Sequence, residues 1–478
     1  MSTQQTKILA RVQGAAIDGR LKVLRYRQRQ FIALHNALLK HRDALLEAIR
    51  VDDGYSLEEA KIIYGSALID LRNHYDALDF STDFDQEYAL AKGASNEKRR
   101  IPIQVAYIIP ATFSPVFGIL SALCAALEAG TCVVIELENT LRTSLPLLKQ
   151  ILLHALDNDA FGIIESRAPP QFLSQCVIVD QRGDNAPSNF TAKRVLDSPL
   201  ARNVAVVDRT ADVELGAAEI IASTSAFHGR SPYAVDLVFV NEFVEERLTT
   251  AIIELLRKNS GVTKVTKSAS SSIARRTENE LLEREVASGK AHFSLSKCRH
   301  SELLTRKFSH QAVVICKITS LDDIIDILDT GDAQKPAVGA LYLFSGAKEA
   351  KYLSQNIASQ ASYVNHIPAQ LMVGPVVPLG YQTKLQCRYT RDMFETPSPQ
   401  TSPGPRSHLV STIFKKAEFI DKVAQKPLKP TGQAPSGAWG FFEQGIILGA
   451  LVYLLPIVGI STAGIGFVFW KALHVSRG

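Results

Sequence analysis

The residues best suited to nucleophilic chemistry lie in two short stretches of the chain. In residues 226–236, AFHGRSPYAVD, His228 and Ser231 are three positions apart, and a serine becomes a nucleophile when a histidine accepts its proton. The sequence assigns this pair no acid partner, and we interpret it as part of an exposed polar loop. In LSKCRHSE, Cys298 lies near His300. A thiolate beside a base is reactive, but we interpret this second pair as incidental.

The cysteine pattern indicates no metal centre. No two cysteines form a CxxC pair, and none lies at zinc-ligand spacing from a histidine. Scattered cysteines in a chain of this length are typical of reduced, buried small side chains. They are Cys124, Cys132, Cys176, Cys298, Cys316 and Cys387.

Composition and charge exclude several classes of protein. The chain has 478 residues, of which 46% are hydrophobic and 21% charged, and this balance is typical of a globular protein. A net charge of +5 without a basic stripe does not favour a nucleic-acid partner. The start, MSTQQTKILARVQG, has no long apolar region, so we expect no secretory signal and a body that faces a reducing compartment.

The elements that must position these residues alternate between helix and strand. Apolar residues at helical spacing predict one long amphipathic helix near the start: Leu24, Phe31, Leu34, Leu38, Leu45 and Ile49. Short apolar runs predict buried parallel strands at 104–109, 132–135, 176–179, 204–207, 237–240 and 313–315. Residues 114–130 predict a helix that ends at a glycine and completes a strand–helix–strand unit. The predicted fold class is therefore α/β with a doubly wound sheet.

The C-terminal part of the chain has a different composition. Residues 396–443 are rich in proline, serine and lysine and predict a linker. Gln444–Trp470 contains no charged residue, is long enough to cross a hydrocarbon core of about 30 Å, and predicts a transmembrane helix that Pro456 kinks. Lysines precede this segment, and Lys471 and Arg477 follow it, so the charge rule leaves its orientation open. We expect a tail anchor with a cytosolic body on the endoplasmic reticulum, the mitochondrial outer membrane or lipid droplets.

The order of elements resembles the aldehyde dehydrogenase superfamily, most closely its membrane-tailed fatty-aldehyde dehydrogenases of class 3 type. The resemblance runs from about Leu21 to Phe394, and it is carried by four blocks whose glycines, prolines and apolar runs keep the family's spacing. These blocks are 102–139, 203–239, 320–345 and 362–366.

The resemblance implies a division into five parts. Residues 1–198 would form a degenerate Rossmann-like cofactor domain, and 199–370 a degenerate catalytic-type α/β domain. Residues 371–395 would form an oligomerisation or return segment, followed by the linker 396–443 and the transmembrane helix 444–470.

The family's catalytic motifs are altered at each position that the resemblance aligns. Where the family has Asn-x-Gly-Gln-x-Cys, this chain reads FHGRSP, which puts Pro232 at the position of the nucleophile. Phe113 takes the place of the side-chain oxyanion donor. Ser198 takes the place of the general base, unless a slip of one residue brings in Asp197. Arg230 and Tyr233, which flank the altered motif, are candidates to line a residual tunnel in a binding role.

The cofactor motifs are altered as well. Glu136 stands where the family has a cofactor-binding lysine, and Arg306 where it has the ribose-binding glutamate. The glycine motif expected after residue 179 is replaced by DQRGDNAPSNFTAKRV. Its one glycine, Gly183, has Asp180 and Asp184 near it, and this does not supply the open backbone N–H groups that a pyrophosphate needs at a helix start.

Two functions follow from this pattern. The first is a non-catalytic protein that binds a lipid-like ligand or a partner, with no cofactor expected. Since members of the family dimerise, the resemblance implies a homodimer or a heterodimer with an active relative. The second is an atypical oxidoreductase that uses NAD or NADP to oxidise a long-chain or pathway-specific aldehyde to the acid.

Overall fold

Two largely parallel sheets organise the first of the two units into which the chain divides, Met1–Ser402 and Pro403–Gly478. The computed structural model describes residues 3–138, 140–183, 194–196, 201–260, 284–288, 291–297, 304, 307–308, 311–328, 338–403, 410–429, 432 and 443–456.

The helices of the first unit, within the described residues, cover much of its chain. They are α1 (Thr3–Asp18), α2 (Leu24–Lys40), α3 (Arg42–Asp53), α4 (Leu57–Asp76), α5 (Phe80–Tyr88), α6 (Pro115–Ala129), α7 (Ser144–Ala155), α8 (Pro170–Leu173), α9 (Val213–Ser225), α10 (Glu245–Ser260), α11 (Leu321–Leu328) and α12 (Ala347–Asn356).

The strands form two larger sheets and one short pair. They are β1 (Arg100–Pro102), β2 (Val105–Ile109), β3 (Cys132–Glu136), β4 (Phe161–Ile164), β5 (Cys176–Asp180), β6 (Arg194–Leu196), β7 (Arg202–Val207), β8 (Leu237–Asn241), β9 (Arg284–Ser288), β10 (Ala291–Lys297), β11 (Ala312–Ile318), β12 (Val338–Phe344), β13 (Ser359–Val364) and β14 (Glu395–Pro397). A parallel sheet has the order β4-β3-β2-β5-β6, and a second sheet the order β13-β12-β7-β8-β11-β10-β9. Only the β9–β10 pair of these two sheets is antiparallel among the described strands, and β1 pairs with β14 as a separate antiparallel ribbon.

The unit β2–α6–β3 confirms the predicted strand–helix–strand arrangement. Strands β2 and β3 are parallel and wholly buried, and every residue of α6 is buried as well. Helix α6 ends at Gly130, whose φ of 89° is left-handed. A Cβ there would lie 3.0 Å from the carbonyl oxygen of Leu21, so both the backbone conformation and the space require glycine.

The long helix predicted near the start is two helices. Its six apolar residues are buried as expected, but α2 ends before His41 and α3 begins after it. His41 has φ −102° and ψ 18°, outside the helical region. The apolar spacing predicts which face is buried on each side of this break, but it does not detect a single residue that redirects the chain.

The second unit contains most of the predicted linker 396–443 and the start of the predicted membrane span. The first residues of that linker belong to the first unit, where β14 pairs with β1. Helix α13 (Ala417–Ala424) lies in it, and residues 443–456 are also helical. Within the part of the chain that the structure describes, no helix has both the length and the apolar character needed to cross a membrane. Residues 457–470 lie outside the described residues, so the span Gln444–Trp470 stays a prediction.

Candidate functional site

The loop that the resemblance predicts to correspond to the family's nucleophile connects α9 to β8 and has an unusual backbone. Phe227 and His228 have φ values of 52° and 57°, and Gly229 follows with 70°. Left-handed conformations cost side-chain-bearing residues about 1–2 kcal/mol each. Contacts with the surrounding structure must therefore hold this loop in place.

The connection between α3 and α4 supplies those contacts. Glu59 Oε1 accepts a hydrogen bond of 2.8 Å from the Phe227 backbone N–H, and Asp53 forms an ion pair of 3.0 Å with Arg230. The ring of Tyr55 lies 5.5 Å from that of Phe227 and stacks on His228 at 5.6 Å. Sequence reasoning missed Asp53, Tyr55 and Glu59, because they are more than 160 residues from the loop along the chain and match none of the motifs.

The predicted serine–histidine pair is not assembled. Ser231 is 1% exposed, and its hydroxyl accepts a long hydrogen bond of 3.3 Å from the Tyr233 N–H. His228 is exposed, and its Nε2 lies 3.2 Å from the Gly54 carbonyl oxygen. The interpretation as an exposed polar loop is correct for His228 and wrong for Ser231, because the chain turns inward between them.

Pro232 is fixed through its carbonyl oxygen. That oxygen accepts hydrogen bonds from Lys307 Nζ at 2.8 Å and Asn203 Nδ2 at 2.7 Å. Lys307 also pairs with Asp236 at 2.7 Å. Burial lowers the pKa of Lys307 and raises the pKa of Asp236, while their mutual attraction opposes both effects.

Tyr233 and Phe113 are also held by neighbours. The Tyr233 hydroxyl accepts the Val377 N–H at 2.9 Å, its carbonyl accepts the Tyr342 hydroxyl at 2.9 Å, and the Arg388 guanidinium lies 5.3 Å from its ring centroid. Phe113 packs edge-on at 6.1 Å against Phe227. Both aromatic side chains therefore serve in packing, and Tyr233, at 2% exposure, does not line an open tunnel.

Glu136, which the resemblance predicts to replace the family's cofactor-binding lysine, is 3% exposed. Its Oε2 accepts a hydrogen bond of 2.5 Å from the Tyr107 hydroxyl and lies 3.3 Å from Arg167 Nε. Burial, followed by the hydrogen bond to Glu136, raises the pKa of Tyr107 well above its usual range. The carboxylate of Glu136 is therefore already hydrogen-bonded and ion-paired within the protein.

Among the described residues, the cavity next to Glu136 is small. A cavity of about 60 Å³ lies there, lined in part by Thr112, Glu138, Arg142 and Arg182. Arg182 pairs with Glu138 at 2.9 Å, and Arg142 donates to the Thr112 carbonyl at 2.9 Å. Typical ligand pockets have volumes of about 300–1,000 Å³.

A larger cavity lies at the other end of the same strands. It has a volume of about 630 Å³, and its lining includes Gln104 and Cys132, at the amino ends of β2 and β3. Lys22, Arg99 and Arg100 are among its charged lining residues. This cavity has room for a small ligand, and no sequence motif indicated it.

Several predicted residues cannot be placed. Ser198, Asp197, Arg306 and Cys298 lie outside the described residues, as does most of the segment that replaces the glycine motif. Their assignments stay predictions.

Known structures establish the fold. No protein-family model and no curated protein matches this sequence. AldH of Staphylococcus aureus in a substrate-bound state matches with a TM-score of 0.66 and 16% identity, over 89% of this chain and 100% of that one. Glyceraldehyde-3-phosphate dehydrogenase GapN of Methanocaldococcus jannaschii, complexed with NADP, matches with a TM-score of 0.63 and 11% identity, over 84% and 94%.

An acetylating aldehyde dehydrogenase of Geobacillus thermoglucosidasius also matches, with a TM-score of 0.63 and 11% identity, over 84% of this chain and 97% of that one. The chain therefore has the aldehyde dehydrogenase fold, as the sequence predicted. At these identities the likeness concerns the fold, and the activity has to be argued from the site.

Proposed function

We propose that this chain is a non-catalytic, membrane-anchored protein with the aldehyde dehydrogenase fold, which acts by binding a ligand or a partner. The observation that carries the proposal is Pro232 at the nucleophile position. Proline has neither a thiol nor a backbone N–H, whereas acyl chemistry of this type needs a nucleophile and donors aimed at the oxyanion.

The surroundings of Pro232 support this proposal. Lys307 and Asn203 both bind its carbonyl oxygen, and Lys307 is already paired with Asp236. A lysine that donates to two buried acceptors is poorly placed to replace the missing nucleophile. On the cofactor side, the ion pairs around the 60 Å³ cavity support the expectation that no dinucleotide binds.

The mode of action rests on the other features of the chain. The 630 Å³ cavity favours a small ligand. The apolar residues 444–470 favour a membrane location for the body. Pairing with a second copy or with an active relative remains part of the proposal, and sedimentation of the full chain would test it.

Calorimetric titration of NAD⁺ and NADP⁺ into the full-length chain tests the proposal. We expect no saturable binding at millimolar cofactor, and no NADH or NADPH formation with short-chain and long-chain aldehydes. GapN of M. jannaschii, whose solved structure holds NADP, provides the positive control for NADP⁺ titration, and a cooperative unfolding transition shows that the chain is folded. Aldehyde-dependent NADH formation would contradict the proposal and support the atypical oxidoreductase.

A further inference from the structure

A buried polar cluster lies away from the loop of Pro232. Asp70 and His74 are one helical turn apart on α4, so both point from the same face, and Cys387 approaches them from the segment before β14. One ligand atom from each of the three residues lies within 4.8 Å of the others. Asp70 and His74 are each 2% exposed, and Cys387 is partly buried.

The cluster contains polar atoms that lack hydrogen bonds. No hydrogen bond of good geometry reaches either Asp70 oxygen or His74 Nε2 from the described residues, although the Cys387 thiol lies close to both side chains and the Ser121 hydroxyl lies close to Asp70. The shortest contact between them, from His74 Nε2 to Asp70 Oδ1, is 3.6 Å, which is too long for a hydrogen bond. Buried polar groups are nearly always satisfied, so three such atoms in one place need an explanation.

Glu128 on α6 orients the histidine. Its Oε2 lies 2.6 Å from His74 Nδ1, which directs Nε2 toward Asp70 and Cys387. A carboxylate that holds the other ring nitrogen is the usual arrangement behind a metal-binding histidine.

We propose that Asp70, His74 and Cys387 bind a Zn²⁺ ion through Oδ, Nε2 and Sγ, with Glu128 as the positioning residue. Thiolate and imidazole ligands favour zinc over magnesium or calcium. Given zinc bond lengths of 2.0–2.3 Å, ligand atoms around a tetrahedral ion lie about 3.5 Å apart. The three ligand atoms would therefore have to move about 1 Å closer together to bind one ion. The charge of the ion would offset the carboxylates and the thiolate. The site would join α4 to the segment before β14, and it goes beyond the proposed function.

Metal analysis of the full-length chain tests this proposal. After removal of metal with a chelator, incubation with Zn²⁺ alone and desalting, we expect one zinc per chain and a higher unfolding temperature. Co²⁺ in its place should give a near-ultraviolet sulfur-to-cobalt charge-transfer band. Cys387→Ser should abolish that band, Asp70→Asn should lower the zinc content, and Glu128→Gln should weaken binding by about 10- to 100-fold.

Cys176→Ser is the matched control, because Cys176 is a buried cysteine on β5 whose Sγ contacts the Phe172 carbonyl; it should leave zinc binding unchanged. Cys387 is only partly buried, so its serine variant keeps the test decisive if Asp70→Asn does not fold. Absence of zinc binding in the wild type, or full zinc content in both Asp70→Asn and Cys387→Ser, would overturn the proposal.

Discussion

At the scale of single residues, the buried pair Lys307–Asp236 is the most consequential feature beside Pro232. Asp236 accepts hydrogen bonds from Lys307, from the Asn203 N–H and from the Phe308 N–H. The side chains are 12% and 2% exposed. Removing one partner of such a pair leaves the other charge buried without compensation.

Lys307→Met should therefore lower the free energy of unfolding by about 3–5 kcal/mol, measured by urea denaturation. The double variant Lys307→Met with Asp236→Asn should lose less unfolding free energy than the two single variants lose together, because neither charge then remains buried. Lys317→Met, at an exposed position of β11, should change stability by less than about 0.5 kcal/mol. Equal losses of unfolding free energy in Lys307→Met and Lys317→Met would contradict a stabilising role for the buried Lys307–Asp236 pair.

At the scale of elements, the end of α3 links two parts of the fold. Asp53 pairs with both Arg142 and Arg230. Asp52 accepts hydrogen bonds from the backbone N–H groups of Thr143 and Ser144, at 2.7 and 2.9 Å, and from both hydroxyls. A carboxylate at the start of α7 also interacts favourably with the helix dipole.

This arrangement predicts a pH dependence. Burial raises the pKa of Asp52, but the hydrogen bonds from Ser144 and Thr143 outweigh it, so the folded-state pKa is lowered. A lowered pKa stabilises the folded protein above the unfolded-state value of about 3.9, and this contribution disappears as the pH falls through the folded-state pKa.

Asp52→Asn should therefore destabilise the protein at pH 7 by about 0.3–1 kcal/mol, and the difference from wild type should shrink as the pH falls below about 4. Urea denaturation of both proteins at a series of pH values measures this difference in stability. Asp43→Asn, whose side chain is 90% exposed, is the control and should show a much smaller pH-dependent difference. A difference in stability between wild type and Asp52→Asn that stays constant at all pH values would contradict a lowered pKa of Asp52 as its cause.

At the scale of the whole molecule, the first unit has the aldehyde dehydrogenase fold, although the sequence predicts that the family's reactive positions are altered. The central strands of its sheets, such as β2, β3, β7 and β8, are buried and largely apolar, and their packing needs none of the family's catalytic residues. The second unit differs in kind, since its helical residues 443–456 expose apolar side chains such as Ile446, Leu448 and Val452. Exposed apolar side chains of this density favour contact with a membrane or a partner.

Membrane fractionation tests the proposed anchor. The full chain should remain in the membrane pellet after alkaline extraction, and a chain ending at Ser402 should be released. Leu451→Arg combined with Leu454→Arg should also release the full chain, because each arginine costs about 3 kcal/mol at the centre of a span. Leu428→Arg, in the linker and 98% exposed, should stay in the pellet; release of the unaltered full chain would rule out the anchor.

The sequence by itself determined the fold class and most strands. Buried strands such as β2, β3 and β8 are short apolar runs, and α6 ends at a glycine, so local patterns suffice to locate them. The same patterns identified the aldehyde dehydrogenase resemblance, which the solved structures confirm at the level of the fold.

Only the tertiary structure decided what surrounds the candidate site residues. Asp53, Tyr55 and Glu59 meet the loop of Phe227 and His228, and Cys387 meets Asp70 and His74, across long separations in the chain. No local periodicity encodes such meetings, because they depend on how helices and sheets pack. Burial also sets the pKa values of Asp236 and Lys307, and burial is a property of the folded chain, whereas residue type and spacing are already fixed in the sequence.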